Sequence, residues 1–188
     1  MNSETRRKAE GFAYLAGFAA CIPLANWMVG HVGTTCVPNG PCLIPVAPGM
    51  AAPSAVLVVG LALVLRDLVQ RRLGKLWALA AILFGAVLSA AVAPPALIGA
   101  STAAFLLSEL ADLGVYTPLQ RRGLVLAVVA SSIVGLVIDS IVFLQLAFGS
   151  LDFLLPQIVG KAWMVVLSIP VISWIRQRDE RIGMPVRA

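Results

Sequence analysis

Glu109, Asp112, Asp139 and Lys161 are ionisable side chains set inside long apolar runs. A charge in a hydrocarbon environment costs from about 3 to more than 10 kcal/mol, so it faces a cavity, a partner or a ligand. Helical rise gives their depths. Glu109 lies 12 residues past Leu97, about 18 Å along its run. Asp139 is 10 residues before Gly149, about 15 Å from the end of its run. Lys161 is 6 residues past Leu155, about 9 Å in, and Asp112 is about 22 Å in. Glu109, Asp139 and Lys161 are therefore expected to share one polar pocket.

Glu109 and Asp112 are three apart and share a helix face, along which Ser101, Phe105 and Ser108 continue. Ser131, Ser132 and Ser140 accompany Asp139, Gln157 precedes Lys161 by one turn, and Asn26 stands near the same level of the first run. Phe105, Phe143 and Trp163 supply rings nearby. Carboxylates, amides, hydroxyls and aromatic faces together suit a flat polar ligand. The competing explanation is a buried ion pair with polar helix packing. One pair would account for Asp139 and Lys161 and leave Glu109 and Asp112 unexplained.

Ordinary enzyme chemistry has no support. The sequence contains no GxSxG elbow, HExxH, Walker A or dinucleotide fingerprint, and no histidine stands inside an apolar run to activate a serine. One His and three Cys make too few ligands for a zinc or iron–sulfur centre, so no metal and no cofactor is expected. An enzyme is not expected.

The elements that hold these side chains are membrane helices. Of 188 residues, 60% are hydrophobic and 12% charged, half the charged share of an ordinary soluble domain. Six apolar runs of 18–25 residues occupy 11–30, 46–65, 76–93, 97–116, 124–148 and 155–175. About 20 helical residues cross a bilayer. The expected fold is an all-α polytopic membrane protein of six transmembrane helices. Residues 1–10 and 176–188 form tails, and 11–175 form the six-helix membrane domain.

Arg6, Arg7 and Lys8 precede the first run. Arg66, Arg71, Arg72 and Lys75 follow the second, Arg121 and Arg122 the fourth, and Arg176, Arg178, Arg181 and Arg187 the sixth. The other three connections contain no Lys or Arg. That bias places both termini in the cytoplasm and explains the net charge of +5 without nucleic acid. The first run lacks a convincing signal-peptidase site and is read as a retained span. The first outer connection, 31–45, carries His31, Cys36 and Cys42, and outside the cytoplasm the two cysteines can form a disulfide or remain free. Pro23, Pro48, Pro53 and Pro170 fall within the apolar runs, where each proline frees a carbonyl at a break or kink.

The segments GASTAAFLLSELADLGVY (99–116) and SSIVGLVIDSIVFLQLAF (131–148), with Lys161 beyond them, resemble the queuosine precursor transporter family, also described as vitamin uptake transporters. RDLVQRRLGK (66–75) is similar to that family's Asp at the inner end of span two. The resemblance covers roughly residues 45–170. It implies a bacterial plasma-membrane importer, in the inner membrane of a Gram-negative cell, of 7-cyano- or 7-aminomethyl-7-deazaguanine or the queuine base. It also implies a fold like the substrate-binding subunits of energy-coupling-factor vitamin transporters. The family's acidic positions fall on Glu109, Asp112 and Asp139, and its basic position on Lys161.

Under that resemblance Glu109 is the first choice to accept the adjacent N1–H and amine donors of the base. Asp139 would meet the pyrrole N–H or an aminomethyl group, and Lys161 the ring carbonyl or Asp139 itself. Phe105 and Phe143 would stack on the ring, with Asn26, Ser101 and Gln157 completing the substrate-binding set. Asp112 is expected to pack helices or gate, and Asp67 with Arg66, at the cytoplasmic edge, to secure the loop or an inner gate. The expected partners are the deazaguanine and membrane lipids, with a homodimer or outside energising subunits as options. The alternatives are an importer or substrate-binding subunit for another small vitamin or nucleobase and, in a different class, a non-transporting membrane scaffold.

Overall fold

A computed structural model describes residues 3–38 and 40–183. Arg187 and the end of the C-terminal tail lie outside the described residues. Six α-helices dominate: α1 (Ser3–His31), α2 (Ala55–Leu73), α3 (Lys75–Val92), α4 (Ile98–Leu119), α5 (Leu124–Phe148) and α6 (Leu154–Arg181). Five of them, α1, α3, α4 with its leading turn, α5 and α6, are long and apolar enough to cross a membrane. This is a mostly helical, multi-pass membrane protein.

The second apolar run departs from expectation. Residues 46–65 were expected as one helix, but 46–53 belong to a small sheet and the helix runs over Ala55–Leu73. Strands β1 (Thr35–Cys36), β2 (Cys42–Ala47) and β3 (Met50–Pro53) pair antiparallel in that order. Turn chemistry overrides hydropathy here. Pro48 and Gly49, the latter at φ 73°, make the β2–β3 turn, and Pro53 ends β3 just before the helix begins. The fold is therefore not purely α. Val46 and Ala52 are buried with Val56 beneath the sheet. Trp163 Nε1 of α6 donates to the Val46 carbonyl at 2.7 Å, and Ser54 Oγ of the α2 approach donates to Met28 O of α1 at 2.8 Å. The sheet thus caps the ends of α1, α2 and α6. Cys36 and Cys42 stand opposite each other across β1 and β2 and are joined by a disulfide.

α2 falls outside the group of spanning helices because it carries Arg66, Asp67, Arg71 and Arg72. Its position explains how it tolerates them. It packs against all five other helices, and all four charged side chains are buried. The exposed large apolar side chains sit instead on its neighbours: Leu83, Phe84 and Val87 on α3, Leu126 and Ile133 on α5, Leu167 and Val171 on α6. Such a coat faces lipid, while the charged helix is enclosed by protein.

Close crossings hold α2 in place. A Cβ on Gly60 would collide with the Lys161 carbonyl of α6, and one on Gly160 would collide with Val56 of α2. Small residues at such crossings let backbones approach, which is how membrane helices gain packing energy. A single residue, Gly74 at φ 99°, turns α2 into α3. Glu10 near the start of α1 and Arg178 near the end of α6 meet at 2.6 Å, so both terminal helices finish at the same end of the bundle.

Candidate functional site

Arg66 is the centre of the buried polar core. It stands 11 residues into α2 counted from Ala55, and Glu109 stands 11 residues into α4 counted from Ile98, so both lie about 16 Å from that end of their helices. Arg66 Nε donates to Glu109 Oε2 at 3.1 Å. Its Nη2 lies 2.5 Å from Asp112 Oδ1, and its Nη1 lies 2.9 Å from Asp67 Oδ1 and 3.3 Å from Gln70 Oε1. The Tyr116 ring lies 5.9 Å from the guanidinium carbon. From α5, Ser131 Oγ donates to Asp67 Oδ2 at 2.9 Å. One guanidinium therefore faces three buried carboxylates supplied by α2 and α4. Only an arginine presents enough donors in a rigid fork to hold three such partners.

This assigns Arg66 and Asp67 a different place from the one expected. They are not edge residues. With α2 beginning at Ala55, both fall deep in the bundle, each 0% exposed. Asp112, also 0% exposed, belongs to the same cluster. Glu109 Oε1 has no hydrogen-bond partner among the described residues, unlike the Oε2 held by Arg66.

A second polar centre lies one level away. Lys161 Nζ donates to Asp139 Oδ2 at 2.6 Å, Ser140 Oγ at 2.7 Å and Gln157 Oε1 at 2.9 Å, which uses all three ammonium donors. α2 links the two centres, since Gly60 abuts Lys161 and Arg66 is six residues further, about 9 Å along the axis. α5 links them too. Gly135 lies against Asp112, and Asp139 is one turn beyond it. The acids thus form a two-level column, with Glu109 and Lys161 in separate levels.

The remaining candidates are more dispersed. Phe105 is one turn before Glu109 on α4 and packs on Phe18 with centroids 6.0 Å apart. Phe143 meets Phe148 near the end of α5, also at 6.0 Å. Ser101 shares a hydrogen bond of 3.0 Å with Ser89 of α3, and Asn26 Nδ2 donates to Ile22 O of its own helix at 3.0 Å. Phe143, Ser101 and Asn26 are thus engaged outside both charged centres.

A third network, which the sequence reading did not single out, closes the arginine-rich end. Asp179 of α6 accepts from Arg71 Nη2 at 2.9 Å and from Arg72 Nη1 and Nη2, both at 2.8 Å. Glu10 of α1 pairs with Arg72 at 3.0 Å and with Arg178. Burial pushes the Asp179 carboxyl up, but the hydrogen bonds and charge of Arg72, with those of Arg71, outweigh it and hold it below the usual carboxylate value. The charge pattern after span two showed cations in this region but not their acidic partners, which sit 107 and 62 residues away in sequence.

No curated protein and no solved structure matches the chain. A family model does. Residues 92–175, which carry Glu109, Asp112, Asp139 and Lys161 but not Arg66 or Asp67, are similar to the family described as "Putative vitamin uptake transporter".

Proposed function

We propose that this chain takes up a queuosine precursor, namely 7-cyano- or 7-aminomethyl-7-deazaguanine or the queuine base, across the bacterial plasma membrane. The Arg66 and Glu109 level of the polar column is the binding site. The observation that carries this reading is the Glu109 carboxylate. It is buried mid-helix, with one oxygen on Arg66 and the other free among the described residues. A 7-deazaguanine presents N1–H and an exocyclic amine side by side as donors, with a ring carbonyl acceptor next to them. Glu109 accepts the two donors, and Arg66 turns one N–H from Glu109 to the carbonyl. Exchanging one charge-assisted hydrogen bond for others leaves few groups unpaired, which keeps the exchange affordable in a dry site. Phe105, one turn away on the same face of α4, stacks on the ring.

The Asp139 and Lys161 level lies nearer the sheet-capped end and meets the substituent at carbon 7. An aminomethyl group would pair with Asp139. The similarity of residues 92–175 to a vitamin uptake transporter family supports a small-molecule importer. The buried donors and acceptors are of the kind that a guanine-like edge would pair with.

The test is uptake of labelled 7-cyano- and 7-aminomethyl-7-deazaguanine by the purified protein in proteoliposomes. Saturable uptake, blocked by excess unlabelled 7-deazaguanine and not by adenine, is the expected result. Uptake of another vitamin with no response to any 7-deazaguanine would overturn the proposal.

A further inference from the structure

A cavity of about 290 Å³ opens at the arginine-rich end, between the α4–α5 turn and the ends of α2 and α6. Its lining includes Arg71, Arg121, Arg122 and Arg176 together with Asp179 and Glu180, and Arg121 and Arg122 are exposed. The two acids are already engaged, Asp179 by Arg71 and Arg72, and Glu180 by Arg176 at 3.2 Å. The side chains of Arg121 and Arg122 have no acceptor among the described residues. Two positive charges are therefore left over in the cavity wall.

Two further features point to a ligand. Gln120 lines the cavity, is only 6% exposed, and has its buried Oε1 without a partner. Its amide makes no side-chain hydrogen bond to any described residue. Gly123 and Leu124 also line the cavity, and they begin α5, a helix of 25 residues whose first N–H groups have no intrahelical acceptor. Such a terminus favours an anion.

We propose that this cavity binds the phosphodiester headgroup of an anionic phospholipid. Arg121 and Arg122 neutralise the phosphate, and the start of α5 donates to one of its oxygens. A half-turn of the Gln120 carboxamide about its last bond puts Nε2 in the place of the unpartnered Oε1, where it donates to another. The apolar surface above the cavity favours a lipid over free phosphate. Leu126 and Ile133, 53% and 51% exposed, lie seven residues apart on one face of α5. Val171 and Trp174, 55% and 58% exposed, form a matching strip on α6. Acyl chains lie along these strips while the headgroup enters the cavity. Basic pockets between membrane helices are used in this way for anionic headgroups. The site lies at the opposite end of the bundle from the sheet and is independent of the substrate proposed above.

The experiment uses the full chain in detergent, with phosphatidylglycerol, phosphatidylcholine or inorganic phosphate added, and reads bound lipid by native mass spectrometry. Wild type is expected to retain phosphatidylglycerol at least tenfold better than phosphatidylcholine, and millimolar inorganic phosphate should not displace it. Arg121→Gln with Arg122→Gln should lose tenfold or more of that preference. Gln120→Ala, which keeps every charge, should lose several-fold. Lys8→Gln with Lys75→Gln, a pair of exposed cations at the same end, should change nothing. Equal loss in the Lys8 and Lys75 variant would overturn the site in favour of general surface charge. Displacement of the lipid by inorganic phosphate would overturn the lipid assignment.

Discussion

Replacing Arg66 by Met keeps most of the side-chain volume and removes the one cation that pairs with Asp67, Glu109 and Asp112 among the described residues. Those three carboxylates then face one another inside the bundle, where none is more than 2% exposed. Breaking a buried ion pair by removing one partner costs about 3–5 kcal/mol. A second route gives a similar size. The orphaned acids can escape their charge only by taking up protons, and holding one ordinary carboxylic acid neutral at pH 7 costs about 4 kcal/mol. A loss of about 4 kcal/mol corresponds to roughly 10 °C in melting temperature for a chain of this length. The assay is thermal unfolding in detergent at pH 7.5 and again at pH 5. Arg66→Met should melt about 10 °C below wild type at pH 7.5. It should recover part of that difference at pH 5, because protonation removes the uncompensated charges. Arg66→Lys should fall between, since an ammonium keeps the charge but loses the fork. An Arg66→Met variant melting within about 2 °C of wild type at both pH values would refute the view that Arg66 neutralises the core.

Three further outcomes follow from the same packing and charge arguments. Asp179 has a lowered folded-state pKa, so its contribution is fully present above its unfolded value near 4 and disappears as pH falls through the folded value. Asp179→Asn should lower stability by about 3 kcal/mol at neutral pH, with a melting curve parallel to wild type between pH 5 and 8 and converging on it only in stronger acid. Gly60→Val should lose about 1–3 kcal/mol and loosen α2 from α6, because its side chain would enter the Lys161 backbone; a fully stable Val variant, measured by the same unfolding assay, would contradict the crossing. Cysteines introduced at Ser3 and Asp152, in a Cys21→Ala background, should react with an impermeant reagent from opposite faces of oriented vesicles, with Asp152→Cys labelled from outside. Outside labelling at both positions would reject the cytoplasmic placement of the termini.

Hydropathy made the helical character and the depth of the acids legible, because a charge in a long apolar run is conspicuous. The proximity of Asp139 and Lys161 also followed from depth, and the two meet at 2.6 Å. The partner of Glu109 did not follow. The apolar stretch 46–54 imitated the start of a helix, which displaced α2 by nine residues and left Arg66 looking like a loop cation. The correcting signal lay in the sequence: Pro48-Gly49 marks a turn, and Pro53-Ser54 marks a helix start. Counting from Ala55 would have placed Arg66 at the depth of Glu109. The Asp179 latch was illegible for another reason. Its partners Arg71 and Arg72 stand 108 and 107 residues away in sequence, and positive-inside reasoning counts cations without pairing them. Lateral arrangement was the remaining gap: depth alone could not say that Glu109 faces α2 while Asp139 faces α6.

The most direct test of the central claim is equilibrium binding of labelled 7-aminomethyl-7-deazaguanine to wild type, Glu109→Gln and Glu109→Asp, with melting temperatures taken without ligand. Gln keeps one acceptor for Arg66 but turns a donor toward the ligand's N–H, and a buried mismatch of that kind costs about 1–3 kcal/mol or more. The account predicts a fall in affinity of roughly 10- to 100-fold for Glu109→Gln. Its melting temperature should stay within a few degrees of wild type, since one carboxylate's desolvation penalty disappears with its charge. Wild-type affinity in the Gln variant would remove Glu109 from the site and contradict the account.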